Sequence, residues 1–107
     1  MRGRQISTVT ILSAATATGA GSTHEPWGEE RVIQAHGTTS AGAGAASINI
    51  EGSQTGSHWK TIGNIALTLG TTSTNDGFAT DAAWRYLRAN VASISGTDAT
   101  VTVILGC

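Results

Sequence analysis

The sequence predicts an all-β protein, a small antiparallel β-sandwich or jelly-roll-like barrel of about six to eight short strands. Hydrophobic and polar side chains alternate over several short stretches, and no stretch shows the 3.6-residue period of an amphipathic helix. The alternation is clearest at the C-terminus. The residues predicted to face inward there are Ala99, Val101, Val103 and Leu105.

Composition separates this fold from a disordered chain. Thr, Ser, Ala and Gly make up more than half of the 107 residues, but the net charge is only -1 and charged residues are 12%. So little charge gives the chain little self-repulsion, which favours a single folded domain over residues 1–107. Because a domain of this size has a thin core, we expect it to bury more of its surface against neighbouring proteins. Lys and Arg are few and scattered, and no apolar run could span a membrane, so neither nucleic acid nor membrane is an expected partner.

The first strand is expected over residues 5–13, which are rich in β-branched side chains. We prefer this to a weak signal peptide, because the apolar stretch is short and contains Thr10 and Ser13. Residues 14–26 run from a small, polar stretch over 14–23 to the single proline, Pro26. They are expected to form a flexible or partner-ordered loop, or an extended arm lying on a neighbouring subunit.

The middle of the chain is expected to hold three strands. Residues 30–38 and 46–53 are interpreted as a hairpin, joined by a flexible or partner-ordered loop over 39–45. Residues 59–69 form the next strand, in which Ile62 falls on the face opposite to Ile65 and Leu67. A β-bulge near residues 63–64 would explain that change of face.

The last third is expected to hold two strands. Residues 70–77 are a polar loop that ends in a turn at Asn75-Asp76-Gly77. Residues 78–83 are either a short helical turn or an extended loop. Strands are then expected over 84–94 and 99–105, joined by a hairpin turn at 95–98. In the first of these, one face carries Leu87, Ala89 and Val91 and the other carries Trp84 and Tyr86.

No residue pattern predicts catalysis, a cofactor or a metal. His24, His36 and His58 are far apart in the sequence, and the glycine-rich stretches lack the lysine of a phosphate-binding loop. The G-x-S-x-G motif of a nucleophilic serine is absent. Cys107 is the single cysteine, so it has no intrachain disulfide partner. We therefore expect a protein that is not an enzyme.

Large aromatic and arginine side chains are the candidates for contact with another protein. Each tryptophan is either a core anchor or an interface anchor. Arg85 and Arg88 fall on opposite faces of the expected strand, so one is exposed and the other stacks on an aromatic ring or meets Asp81 or Asp98. The candidate interface residues are Arg2, Arg4, Trp27, Trp59, Trp84, Arg85 and Arg88.

The second half of the chain carries a family resemblance. A strand with Trp59 and Ile62, a Thr- and Gly-rich loop, the stretch Trp84-Arg-Tyr-Leu-Arg-Ala-Asn-Val and a final Thr-Val-Thr-Val strand resemble small β-rich virion proteins of tailed bacteriophages. The resemblance implies a non-enzymatic particle component. The preferred member is a capsid decoration (cement) protein, a dimer or trimer that binds the major capsid protein and stabilises capsomer junctions on the virion surface after synthesis in the host cytoplasm.

Other functions remain open. The same resemblance covers neck, tail or fibre components, which bind other virion proteins. A carbohydrate-binding adhesion module would use Trp27, Trp59 and Trp84 as stacking platforms. A secreted hydrolase fragment would require histidine and acidic side chains that converge in space.

Overall fold

A computed structural model describes residues 8–25, 31–80 and 84–106. These residues form eight strands and, within the described ranges, no helix. The strands are β1 (Thr8–Ala15), β2 (Gly19–Ala20), β3 (Arg31–Thr38), β4 (Ala41–Ser53), β5 (Lys60–Leu69), β6 (Thr74–Thr80), β7 (Tyr86–Thr97) and β8 (Thr100–Gly106).

The strands form two antiparallel sheets, which confirms the predicted small β-sandwich. The first sheet has the order β1-β8-β3-β6 and the second has the order β2-β7-β4-β5. Among the described strands, only β4 and β5 are consecutive in the chain and also paired. Every other connection carries the chain from one sheet to the other.

The core lies between the two sheets and follows the alternation in the sequence. β3, β5, β7 and β8 bury every second side chain over much of their length, because successive side chains point to opposite faces of a sheet. β4 departs from this pattern by burying its last four residues, and β2 and β6 bury none. The C-terminal prediction is confirmed: Val101, Val103 and Leu105 are buried in β8 and the intervening side chains are not. The other large core residues that are almost fully buried are Ile11, Ile33, Ile48, Ile50, Ile65, Leu69, Leu87 and Val91.

The predicted hairpin of the second and third expected strands is wrong. β3 pairs with β6 and β8, whereas β4 belongs to the other sheet and pairs with β5 and β7. The crossing is fixed by hydrogen bonds from backbone N–H groups, Thr39 to the Gly70 carbonyl (2.9 Å) and Ser40 to the Thr97 carbonyl (3.0 Å). Residues 41–45, expected in a loop, extend β4 along β7 and β5, from Ala41 opposite Thr97 to Ala45 opposite Thr68.

The described part of the expected N-terminal arm lies on the chain's own second sheet. β2 pairs with β7, and His24 forms two backbone hydrogen bonds of 2.8 Å with Leu87. The Ser22 N–H also donates to the Ile11 carbonyl at 3.0 Å. This two-residue strand was missed because its composition is that of a loop. Whether this segment contacts another subunit stays a prediction.

The predicted turn at residues 75–77 is also wrong, because β6 runs through it. Asn75, Asp76 and Gly77 pair in register with β3, opposite His36, Ala35 and Gln34. The Asp76 carboxylate accepts a hydrogen bond from the Gly77 N–H at 2.8 Å. Such a local contact between side chain and backbone is typical of a turn, but here it forms within an edge strand. Pairing with β3 overrides the local preference of these residues for a turn.

The connection between β7 and β8 is a turn, as predicted, but it is not a hairpin. β7 lies in the second sheet and β8 in the first, so Asp98 turns the chain between sheets. Its φ of 50° lies in the left-handed region, which Asp tolerates better than most residues. The Asp98 carboxylate accepts a hydrogen bond from the Ser40 hydroxyl at 3.0 Å, which ties this turn to the crossing from β3.

The predicted bulge lies at Ile62, one residue before its expected position. Ile50 pairs with Gly63 but the next residue, Glu51, pairs with Thr61, so Ile62 is the extra residue. The bulge lets Ile62 pack against the core although its parity differs from that of Ile65. No helix in the described part of the chain is long and apolar enough to cross a membrane.

Candidate functional site

The outer face of the second sheet carries a connected set of polar side chains, which we call the amide face. It is defined by Ser47, Asn49, Glu51, Trp59, Asn64, Arg88 and Asn90. Alternation places the strand residues of this set outward, because Ile48 and Ile50 of β4 point into the core. Trp59 precedes β5 and joins the set through its contact with Arg88. β4 is the central strand of this surface, with β7 on one side and β5 on the other.

An ion pair and an aromatic ring are joined at one end of the amide face. The Arg88 Nε–H donates to Glu51 Oε1 at 2.7 Å, and the guanidinium lies 4.1 Å from the centre of the Trp59 ring. The side chains of Glu51 and Arg88 are 11% and 24% exposed, so water screens this pair only in part. Three anchored groups therefore form a rigid and electrically neutral unit.

The loop before β5 sets the position of Trp59. The buried Ser53 hydroxyl accepts hydrogen bonds from the Thr55 and Gly56 N–H groups, at 3.2 and 2.9 Å. The Thr55 hydroxyl in turn accepts from the N–H groups of Ser57 and His58, both at 3.1 Å. Side chains thus satisfy four successive backbone donors, and the short loop is held in one shape directly before the tryptophan.

Three asparagines form a row across the middle of the amide face. Asn49 of β4 lies in register with Asn90 of β7 on one side and with Asn64 of β5 on the other. The Asn64 side-chain NH₂ donates to Asn49 Oδ1 and to the Ser47 hydroxyl, both at 2.9 Å. The Asn90 NH₂ donates to Glu51 Oε2 at 3.3 Å, which connects the row to the ion pair.

The outer face of the first sheet is chemically different, and we call it the threonine face. Its members are Thr8, Thr10, Val32, Gln34, His36, Asn75, Gly77, Ala79, Thr102 and Ile104. None of them is Asp, Glu, Lys or Arg. Val32 is 43% exposed, which makes it the exposed large hydrophobic side chain among the described residues. With Ile104 it lines a shallow apolar hollow of about 190 Å³.

Of the four predicted interface residues that the structure describes, it brings two together. Trp59 and Arg88 are in contact, and Arg88 meets Glu51 instead of Asp98 as its acidic partner. Arg85 is exposed, and its guanidinium lies 5.2 Å from the centre of the Tyr86 ring. The predicted residues Arg2, Arg4 and Trp27, and the alternative partner Asp81, lie outside the described residues.

Trp84 has a mainly structural position. It packs against the core at Gly52, where a Cβ would come within 2.4 Å of the ring atom Cγ. Phe78 occupies the equivalent position over Gly63. Large rings over glycines fill the end of a core that is otherwise built from small side chains. The stacking platform of three tryptophans considered for carbohydrate binding is therefore not formed by Trp59 and Trp84 together.

Sequence reasoning missed Glu51 and the three asparagines. A usable signal was present in residues 47–51, where polar residues alternate with Ile48 and Ile50 on a strand already predicted. That signal does not show which residues lie side by side, because this depends on the pairing of β4 with β5 and β7. The histidines do not converge: His24 bridges to β7, His36 lies on the threonine face and His58 lies in a loop. No cluster of three potential metal ligands occurs among the described residues.

Comparison with known proteins supports the fold. No protein-family model matches the chain, and no curated protein matches it. Among solved structures, the SPBc2 prophage-derived protein YomS is similar with a TM-score of 0.58 at 16% identity, covering 96% of this chain and 94% of YomS. The PBSX exported protein XepA is similar with a TM-score of 0.58 at 12% identity, and this chain spans 36% of its length.

A third similar structure is described as "CBM4 structure and function", with a TM-score of 0.50 at 15% identity. The match covers 94% of this chain and 66% of that one. The chain therefore shares its two-sheet fold with two prophage-derived proteins and with this third structure.

Proposed function

We propose that this protein is a non-enzymatic structural component of a tailed-bacteriophage particle, and that it decorates the outer surface of the head shell. The single observation that carries the proposal is the threonine face. It is uncharged, built on four paired strands, and has Val32 exposed beside an apolar hollow. The fold shared with the prophage-derived protein YomS and with the PBSX protein XepA supports the broader part of the proposal, a phage-related structural protein.

The chemistry of the threonine face suits burial against protein. Threonine and alanine side chains lose little conformational entropy when buried, and no charge on this face has to be stripped of water. The hollow between Val32 and Ile104 would accept an apolar side chain of the major capsid protein. Each contact is small, but attachment at many equivalent positions of a shell stabilises that shell by mass action.

A lysine placed in the hollow tests this assignment. Val32→Lys puts a charge where the partner should dock, and because Val32 is already exposed the fold should survive. Thr68→Lys is the matched control, since Thr68 is an exposed strand residue of the other sheet. The readout is the mass-spectrometric copy number of this chain in purified particles of the phage that encodes it.

The unmodified chain should be present at a copy number comparable to that of the major capsid protein. Val32→Lys should lower the copy number at least tenfold, and Thr68→Lys should leave it unchanged. One or a few copies per particle would instead indicate a component of the neck, tail or fibre. Absence of the chain from particles would exclude a structural role in the virion.

A further inference from the structure

The amide face holds hydrogen-bonding groups that the protein itself does not use. Asn64 spends both N–H donors on Ser47 and Asn49, and Asn90 donates to Glu51. Within the described ranges, the Asn49 NH₂ and the side-chain oxygens of Asn64 and Asn90 have no protein partner. Along the row from Asn90 through Asn49 to Asn64, these groups are therefore an acceptor, a donor and an acceptor.

The spacing of the row is fixed by the sheet. Asn90, Asn49 and Asn64 are in register on adjacent strands, so their side chains follow one another at about 4.8 Å and the row extends about 10 Å. The network to Glu51 and Arg88 holds the amides in place. Such a row is prepared for a ligand that presents donors and acceptors together at regular intervals, as the hydroxyl groups of a polysaccharide do.

Charge and shape narrow the class of ligand. Among the residues that define the amide face, the charges of Arg88 and Glu51 cancel, so the face itself carries no net charge. Trp59 is half-buried on the same outer face, and the Arg88 guanidinium covers one side of its ring, so the rest of its exposed indole surface is what a ligand could reach. A sugar ring has hydroxyl groups at its edge and C–H groups on its faces, which fits a row of amides beside an aromatic ring.

We propose that the amide face binds a neutral polysaccharide, with Asn49, Asn64 and Asn90 holding its hydroxyl groups and Trp59 contacting a sugar ring. This inference goes beyond attachment to the particle and depends on a different face of the sandwich. A decorating protein that turns its threonine face to the shell leaves the amide face open to the outside. The ligand would then be a glycan met by the assembled particle.

Retention on insoluble polysaccharide tests the proposal with the purified full chain alone, so the result does not depend on particle attachment. The probes are cellulose, chitin and curdlan as neutral polymers, with heparin on beads as the anionic comparison. The test variants are Asn49→Ala and Asn64→Ala. The matched control is Asn75→Ala, which removes an amide from the threonine face. Circular dichroism and thermal melting confirm that each variant keeps the β-fold.

We expect the unmodified chain to be retained on at least one neutral polymer, and each test variant to reduce the association constant at least tenfold. Asn75→Ala should bind as the unmodified chain does. Binding should also change the tryptophan fluorescence when soluble oligosaccharides of the retained polymer are added. Retention on none of the three neutral polymers overturns the proposal. Retention on heparin alone would also overturn it, and so would an equal loss of binding in all three variants.

Discussion

The two outer faces of the sandwich share a backbone plan and differ in chemistry. Both lie on four antiparallel strands, and both are the outward half of the same two-residue alternation. The threonine face has no Asp, Glu, Lys or Arg side chain, whereas the amide face is crossed by an ion pair and a row of three amides. The core sides of the two sheets are nevertheless built from the same residue types, isoleucine, leucine and valine.

The inward half of the strands therefore specifies the fold, and the outward half is free to vary in chemistry. On the threonine face, the exposed apolar surface of Val32 and Ile104 is what would gain free energy by leaving water. The amide face keeps polar groups fixed at a solvent-exposed surface, where a ligand can replace water. Under the two proposals made above, one small domain offers two surfaces to two kinds of partner.

The largest effects are expected where the two sheets are alike. Ile33→Ala in the first sheet and Ile50→Ala in the second both remove a fully buried side chain, and each should lower the free energy of unfolding by about 2–5 kcal/mol. Urea unfolding followed by tryptophan fluorescence measures both. A large cost at one position and none at the other would show that the sheets do not share one core.

The next effect is at the ring that closes the end of the core. Gly52→Ala should cost about 1–3 kcal/mol, because the new Cβ meets the Trp84 ring within 2.4 Å. Gly70→Ala is the matched control, since a Cβ there meets nothing within 4 Å. Thermal melts of both variants separate overpacking from a general effect of glycine replacement. An equal shift in melting temperature would place Trp84 elsewhere.

A smaller effect distinguishes the faces directly. Glu51→Ala removes the partner of Arg88 and should cost about 1 kcal/mol, reduced from the value of a fully buried pair by partial exposure. Gln34→Ala on the threonine face loses only a 3.4 Å contact to Asn75 and should change stability by less than about 0.5 kcal/mol. Chemical denaturation of both variants measures the difference. Equal costs would mean that the amide network adds nothing to stability.

The smallest effect is expected at a strained residue that belongs to neither face. Ala14 has a φ of 46°, which glycine adopts without strain, so Ala14→Gly should stabilise the fold by up to about 0.5 kcal/mol after the entropic cost of glycine. The backbone hydrogen bond from its N–H to the Thr102 hydroxyl (3.1 Å) remains available. A destabilised variant in a thermal melt would indicate that Ala14 does not hold this conformation.

The sequence predicted strands far better than their partners. Alternation at Ile48 and Ile50, at Leu87 to Val91 and at Val101 to Leu105 located β4, β7 and β8, because burial of one face is a local property. Pairing is not local. The crossing at Thr39 and Ser40 depends on acceptors at Gly70 and Thr97, which are distant in the chain, so a small-residue loop was interpreted as a hairpin.

The candidate site shows the same limit. Trp59 and Arg88 were selected by residue type, but their contact joins β7 to the start of β5 through the central strand. Glu51, Asn49 and Asn64 resemble ordinary solvent-facing strand residues until the register of three strands aligns them. β6 was missed for the opposite reason, since the strong local turn preference of Asn75 to Gly77 is overridden by pairing with β3.

Electron cryo-microscopy of the intact particle tests the central claim, that the two outer faces meet different partners. We expect density for this domain on the head shell, with Val32 and Ile104 against the capsid protein and Asn49 and Trp59 facing outward. A domain bound to the shell through the amide face, or a particle without this domain on its head, would contradict it.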